Sequence, residues 1–231
     1  MRAIILAAGM GTRLRPLTLK TPKPLIQIQG EAMTERQIRF LLEKGIEDII
    51  VVTGYLSESF NYLQENYGVN LVHNDKYNEY NNLYTMYLVR EYLSDAFVLE
   101  GDIYLNHNIL DAMVEKSTYF SARKSNFTNE WMLIRGEQEF LEDIVIGSND
   151  GELIMCGVSY WSKEDGEFLK KKLEQAIESG EFAQLFWDDL VKDNLHQLKI
   201  KVRELKSDDL FEVDSIEDLE ILETFLEGQR K

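Results

Sequence analysis

A single cysteine, Cys156, leaves no partner for an intrachain disulfide and too few thiolates for a cysteine-based zinc site. Only three histidines occur, His73, His107 and His196, and their wide spacing carries no zinc-ligand pattern. No apolar run is long enough to span a bilayer. The early run Ala3–Ala8 is too short for a signal peptide and is followed closely by Arg13 and Arg15. A soluble cytoplasmic protein is therefore the expectation. Basic side chains are in deficit, with Lys+Arg 25 against Asp+Glu 41 and a net charge of −16. Over most of such a surface a nucleic-acid backbone or an anionic membrane would be repelled, which argues against both as partners. What 231 residues at 44% hydrophobic do supply is material for one sizeable core.

The basic residues that exist are unevenly placed. The first thirty positions hold Arg2, Arg13, Arg15, Lys20 and Lys23 and no acid, so a segment of +5 precedes a remainder of −21. All three prolines, Pro16, Pro22 and Pro24, fall there too. A basic, proline-stiffened, glycine-containing loop on an acidic protein points to a local anion site.

Ala3–Ala8 reads as a buried strand ended by Gly9 and Gly11. Strands are also expected at Leu25–Ile28, Asp48–Thr53, Val69–His73 and Ala96–Leu99. Helices are expected at Met33–Lys44, with Gly45 at its C′ position, at Ser57–Asn66 and at Leu83–Leu93. This alternation predicts an α/β fold with a mostly parallel, Rossmann-like sheet and helices on both faces. From Thr118 the texture changes. Strands are expected at Thr118–Arg123, Glu130–Arg135, Phe140–Ile146, Leu153–Trp161 and Leu198–Leu205, with a hairpin turn at Ser148-Asn149-Asp150-Gly151. Helices are expected at Gly166–Ser179 and Gln184–Asn194, and Ser215-Ile216-Glu217-Asp218 starts a last helix with a capping-box-like pattern. No linker or repeat interrupts the chain. The expectation is one domain over 1–231: a nucleotide-binding half (1–117), a mixed β/α insertion completing the site (118–210), and a closing strand and helix (211–231).

Gly9-Met10-Gly11-Thr12-Arg13-Leu14 directly follows the first strand. Two glycines let backbone N–H groups approach a polyphosphate, and Thr12 and Arg13 add side-chain donors. The spacing is neither the dinucleotide fingerprint, since Leu14 stands where its third glycine would, nor a P-loop, since no Gly-Lys-Ser/Thr follows. The longer string Leu6-Ala7-Ala8-Gly9-Met10-Gly11-Thr12-Arg13-Leu14-Arg15-Pro16-Leu17-Thr18, with Pro22-Lys23-Pro24-Leu25, is far more specific. It resembles the signature of the nucleotidyltransferases that activate sugar phosphates and related alcohol phosphates. The resemblance implies the nucleotidyltransferase fold and an attack on the α-phosphorus of a nucleoside triphosphate with release of pyrophosphate. It further implies that Leu6, Ala7, Ala8, Gly9, Gly11 and Thr12 line the nucleotide, that Arg13 contacts the β- and γ-phosphates, and that Lys23 contacts the α-phosphate.

Charge developing on the phosphate oxygens calls for a divalent cation, Mg²⁺, on a few carboxylates. A suitable acid ends a strand on the same sheet edge as the loop. Asp102, just past Ala96–Leu99, is so placed and matches the family's strand–Asp pattern. Glu212 and Asp214, two apart, share one side of an extended segment, and Glu212-Val213-Asp214-Ser215 matches the family's C-terminal motif. Asp214 could equally cap the following helix. Glu100 is left as a charge-tuning neighbour.

The second half lacks the phosphate lysine of a Glu-Lys-Pro motif found in sugar-activating members; Lys124 or Arg123 could supply that cation. It carries Asn129-Glu130-Trp131, Tyr160-Trp161 and Leu185-Phe186-Trp187-Asp188-Asp189 instead. Aromatic faces beside carboxylates are how proteins hold a quaternary ammonium, so Trp131, Phe186 and Trp187 with Asp188 or Asp189 form a candidate cation site. Core packing is the alternative for each aromatic. Along nearly its whole length the chain is similar to the short bacterial CTP:phosphocholine cytidylyltransferases. Matching stretches include Asn74-Asp75-Lys76-Tyr77, Tyr80-Asn81-Asn82, Ser179-Gly180-Glu181-Phe182 and Trp187-Asp188-Asp189-Leu190. That resemblance implies CTP and phosphocholine as substrates, CDP-choline for cell-surface glycan decoration as product, and Asn82 near the base or ribose. It also implies a choline cradle of Trp131 and Phe186, the latter standing where the family carries tyrosine. Phosphoethanolamine, 2-aminoethylphosphonate or a sugar 1-phosphate are the rival acceptors, and a non-catalytic nucleotide-binding regulator is the rival class. The sequence is compatible with a homo-oligomer.

Overall fold

Strands that alternate small and β-branched apolar residues without a polar face must be covered on both sides. A computed structural model describes residues 1–124, 129–148 and 151–229. In it β1 (Arg2–Ala7), β2 (Ile49–Thr53), β3 (Asn70–His73) and β4 (Ala96–Glu100) run parallel in the spatial order β4-β1-β2-β3. Along β1, Ala3, Ile5 and Ala7 enter one hydrophobic cluster and Ile4 the other. β2 divides the same way, Ile49 and Val51 against Ile50 and Val52. Successive side chains point to opposite faces, so each face of the sheet has its own core. Helices α1 (Met33–Glu43), α2 (Asn61–Tyr67) and α3 (Asn82–Leu88) connect these strands, and Gly45, with φ of 73°, closes α1 as expected.

The segment after Thr118 does not build a second layer; its strands lengthen the same sheet. These are β5 (Thr118–Arg123), β6 (Glu130–Arg135), β7 (Leu141–Gly147), β8 (Leu153–Trp161) and β9 (Lys201–Glu204). β8 pairs antiparallel with β4, β5 and β6; β7 pairs antiparallel with β6, and β9 parallel with β5. Among the described residues the result is one nine-stranded sheet, parallel at one end and mixed at the other. Asn149 and Asp150 of the expected hairpin turn lie outside the described residues.

Three further helices complete the chain: α4 (Lys163–Ser179), α5 (Trp187–Asp193) and α6 (Ile216–Gln229). α4 starts earlier than its apolar spacing suggested, because the Ser162 hydroxyl caps it by accepting from the Asp165 N–H at 3.2 Å. α5 is shorter than expected, because Phe186 stays extended and its N–H donates to Asp189 Oδ2 at 2.9 Å. Ser215 and Asp218 cap α6 reciprocally, at 3.2 Å and 2.8 Å. A short antiparallel ribbon joins Ile103–Leu105 to Leu210–Glu212. Beside it Leu14, Ile28, Met33, Tyr104, Val213 and Leu222 form a separate apolar cluster. That cluster fastens the basic N-terminal loop to the acidic C-terminal segment, which is what brings their charges together. No helix among the described residues is long and apolar enough to cross a membrane.

Candidate active site

The basic loop leaves the C-terminal end of β1, the edge at which open α/β sheets receive ligands. Gly11 adopts φ of 57°, and a Cβ there would come within 2.8 Å of Lys23 Cβ and 3.1 Å of Thr18 Cγ2. The Thr18 hydroxyl donates to the Gly11 carbonyl at 2.8 Å. Glycine is thus required at 11 so that Lys23 can lie against the loop. A Cβ at Gly9 would meet nothing within 4 Å; that side faces the open cleft. The cleft, about 390 Å³, is lined by Leu6, Ala7, Ala8, Gly9, Gly11, Thr12, Arg13 and Lys23 from the loop side. Across from them stand Asn82, Thr85, Glu100, Asp102, Phe186, Glu212 and Asp214.

Lys23 is nearly buried, at 8% exposure, and its ammonium donates to Asp102 Oδ2 at 2.7 Å and to Asp214 Oδ1 at 2.6 Å. Burial alone would lower its pKa, but the two carboxylates, Asp102 first, outweigh it and raise it. Arg13 reaches the same Asp214 oxygen at 2.8 Å from a side chain that is 71% exposed. The ion pair at Arg13 is therefore loose enough to be exchanged for a phosphate.

Acids outnumber these two cations. Glu100, Asp102 and Glu212 each place a carboxylate oxygen within 4.8 Å of the others. Burial, then Asp214 and Asp102, pushes the Glu212 carboxyl up to about 8. Burial, then Asp102 and Asp188, raises Glu100 as well. Asp214 moves the other way, because hydrogen bonding from Lys23 overcomes the cost of burial. The second oxygen of Asp102, Oδ1, is buried without a partner. Three converging carboxylates, two of them raised by burial and by neighbouring acids, and a buried carboxylate oxygen without a partner fit a hard divalent cation.

A second recess of about 330 Å³ continues from the first, sharing Arg13, Glu100, Phe186, Glu212 and Asp214 and adding Asn129, Glu130, Trp131, Met155, Gly157 and Asp188. Trp131 and Phe186 meet edge to face, ring centroids 6.1 Å apart at 75°. Phe186 is 44% exposed, so its ring is open to a ligand entering the recess. In the same recess Asp188, 6% exposed, accepts from the Tyr119 hydroxyl at 2.7 Å. Burial raises its carboxyl to about 7 although the Tyr119 hydrogen bond opposes this.

Several sequence expectations are revised. Trp187 is 3% exposed and packs edge to face on Trp161 at 5.4 Å, in the core rather than the recess. Phe186 precedes the helix and turns outward, whereas Trp187 is its first residue and turns inward. Of the two acids offered, Asp188 lines the recess and Asp189 caps α5. Lys124 is spent on Glu130 at 2.9 Å and lines neither recess. Asp214 shares the Lys23 ammonium with Asp102 and also pairs with Arg13, and Glu100 joins Asp102 and Glu212 with carboxylate oxygens within 4.8 Å of one another. Asn82 lines the cleft, but its Oδ1 is committed to the Trp187 N–H at 2.8 Å. Sequence reasoning passed over Gly157, whose φ of 63° sits at a break in the β8 register and opens the floor of the recess. A lone glycine inside a strand pattern was the available signal.

This fold and this loop define a class: the chain belongs to the nucleotidyl transferase family, whose model matches residues 2–129. Relatives that match over nearly the whole chain include cytidylyltransferases. The choline-phosphate cytidylyltransferase of Streptococcus pneumoniae is 47% identical over 229 residues, 99% of this chain and 100% of that one. The solved structure of the CTP:phosphocholine cytidylyltransferase from Streptococcus pneumoniae superposes with a TM-score of 0.95, covering 97% of this chain and 98% of that one at 47% identity. The 2-aminoethylphosphonate cytidylyltransferase of Lancefieldella rimae is 36% identical over 221 residues, 94% of this chain and 89% of that one.

Proposed function

We propose that this chain transfers a cytidylyl group from CTP to phosphocholine, forming CDP-choline and pyrophosphate. The observation that carries this reading is the continuity of the two recesses: a basic loop and acid cluster at one end, a Trp131–Phe186 corner sharing its recess with Asp188 at the other.

The triphosphate lies along Gly9–Arg13, with Arg13 released from Asp214 to the outer phosphates and Lys23 beside the α-phosphate. The trimethylammonium group enters the Trp131–Phe186 corner, where it meets ring faces and the carboxylates of Asp188 and Glu130. A quaternary nitrogen donates no ordinary hydrogen bond, so this environment suits it better than a sugar. With both substrates seated, a phosphate oxygen of phosphocholine forms a bond to the α-phosphorus as the bond to the pyrophosphate oxygen breaks. The attacking phosphate is already an anion near neutral pH, so no side chain has to act as base. The protein contributes alignment and a fixed positive environment from Lys23 and Arg13. Glu100, Asp102 and Glu212 would hold Mg²⁺, which when bound screens charge on the triphosphate and on the departing pyrophosphate. Use of CTP places the reaction in the cytoplasm as part of the same proposal.

Phosphorus NMR of the protein with CTP, phosphocholine and Mg²⁺ tests it. The spectrum should gain a diphosphodiester pair and free pyrophosphate. Turnover that instead prefers another nucleotide, or proceeds without phosphocholine, would refute the reading.

A further inference from the structure

Gln37 sits on the buried face of α1, fully enclosed at 0% exposure. Its amide nitrogen spends both hydrogens on two main-chain carbonyls, those of Glu100 and Ile103, each at 2.8 Å. These carbonyls bracket Gly101 and Asp102, so one side chain from behind the sheet spans the whole turn that presents Glu100 and Asp102. The same turn is fixed from in front. The Gly101 N–H donates to the Leu6 carbonyl at 2.9 Å and the Val213 N–H to the Asp102 carbonyl at 3.2 Å. Ile103 stands opposite Glu212 in the short ribbon. The Gln37 clamp therefore sets the position of all three converging carboxylates, though it touches none of them. Its other amide atom, Oε1, is buried with no partner. An unpaired buried carbonyl costs stability, and the two hydrogen bonds to the Glu100 and Ile103 carbonyls offset that cost. The polar side chain is held there by the turn it clamps.

We infer that Gln37 is a positioning residue for the divalent-cation site, holding the Glu100–Ile103 turn at the separation the ion requires. The inference rests on the reading of Glu100, Asp102 and Glu212 as cation ligands, and the experiment separates the two. Residues that orient metal ligands typically change metal affinity about 10–100-fold when replaced.

Mn²⁺ binding to the substrate-free protein, followed by its EPR signal, is measured for wild type, Gln37→Met and Gln37→Glu, with melting temperatures alongside. Absence of Mn²⁺ binding in wild type would refute the ligand assignment itself. With wild type binding, Gln37→Met should bind Mn²⁺ at least about tenfold more weakly and need correspondingly more Mg²⁺ for half-maximal turnover. Its KM for phosphocholine at saturating Mg²⁺ should be unchanged. Gln37→Glu keeps the shape but loses the paired donors, and should weaken binding similarly. Folded variants with wild-type Mn²⁺ affinity would overturn the inference. So would failure of both variants to fold, which would make Gln37 a general structural residue.

Discussion

Lys23 and Asp102 form the hinge of the site: a 2.7 Å contact between residues 79 positions apart joins the nucleotide loop to the acid cluster. The same ammonium holds Asp214, 191 positions away, at 2.6 Å. Removing Lys23 therefore has two separable consequences. Lys23→Ala should lower kcat by roughly 100–1000-fold through loss of charge stabilisation at the α-phosphate, with little change in phosphocholine affinity. In metal-free buffer it should also cost about 3 kcal/mol of stability, because partly buried carboxylates lose their partner. Urea unfolding without Mg²⁺ measures the second effect, and single-turnover kinetics the first.

Gly11→Ala tests the loop geometry. The new Cβ would stand 2.8 Å from Lys23 Cβ on a backbone with φ of 57°. A loss of about 1–2 kcal/mol in stability is expected from the left-handed conformation alone, and displacement of Lys23 should depress kcat further. Gly9→Ala, which meets nothing in the free protein, should leave stability nearly unchanged and raise the KM for CTP.

The aromatic corner predicts a different split. Trp131→Ala and Phe186→Ala should each weaken phosphocholine by about 0.5–2 kcal/mol, roughly 2–30-fold in KM. Phe186→Tyr should be tolerated. Trp187→Ala should cost about 3–5 kcal/mol of stability, since it deletes a core ring packed on Trp161. Steady-state kinetics together with thermal melts distinguish these outcomes.

The contrast between Phe186 and Trp187 shows how far the sequence could be read. The contiguous string from Leu6 to Leu25 was legible because its constraints are local: a strand end, glycines at a phosphate, prolines that stiffen the return. Asp102 was legible from its place past a strand end, and Glu212 from the family's C-terminal motif; the structure brings the two together. What escaped depended on contacts between distant segments. Glu100 reads in the sequence only as a charge-tuning neighbour; the end of β4 at Glu100 and the turn through Gly101 bring it together with Asp102 and Glu212. That Lys124 pairs with Glu130 at 2.9 Å follows only once β5 and β6 are placed in one sheet. Asn82, at the start of α3, lines the cleft as expected, but the hydrogen bond its Oδ1 accepts from the α5 backbone spans 105 positions.

Asp188 gives the site a pH dependence. Its carboxyl, raised by burial to about 7, is neutral below that pH and anionic above it. A cation binds the anion better, so choline should bind more tightly as pH rises, by about tenfold between pH 6 and 8. Choline is the proper probe because it carries no phosphate to titrate in the same range. Asp188→Asn should flatten the profile. The stability contribution has the opposite sense: it is complete below the ordinary carboxylate pKa and is lost as pH climbs through about 7. Calorimetric titration of choline across this range checks the first point and urea unfolding the second.

The most direct test compares kcat/KM for phosphocholine, phosphoethanolamine, 2-aminoethylphosphonate and a sugar 1-phosphate with CTP as donor, in wild type and in the Trp131→Ala, Phe186→Ala double variant. Phosphocholine should lead the panel in wild type, and that lead should collapse in the double variant while CTP affinity is retained. A wild-type preference for a primary amine or a sugar, or a phosphocholine preference that survives loss of both rings, would contradict the account.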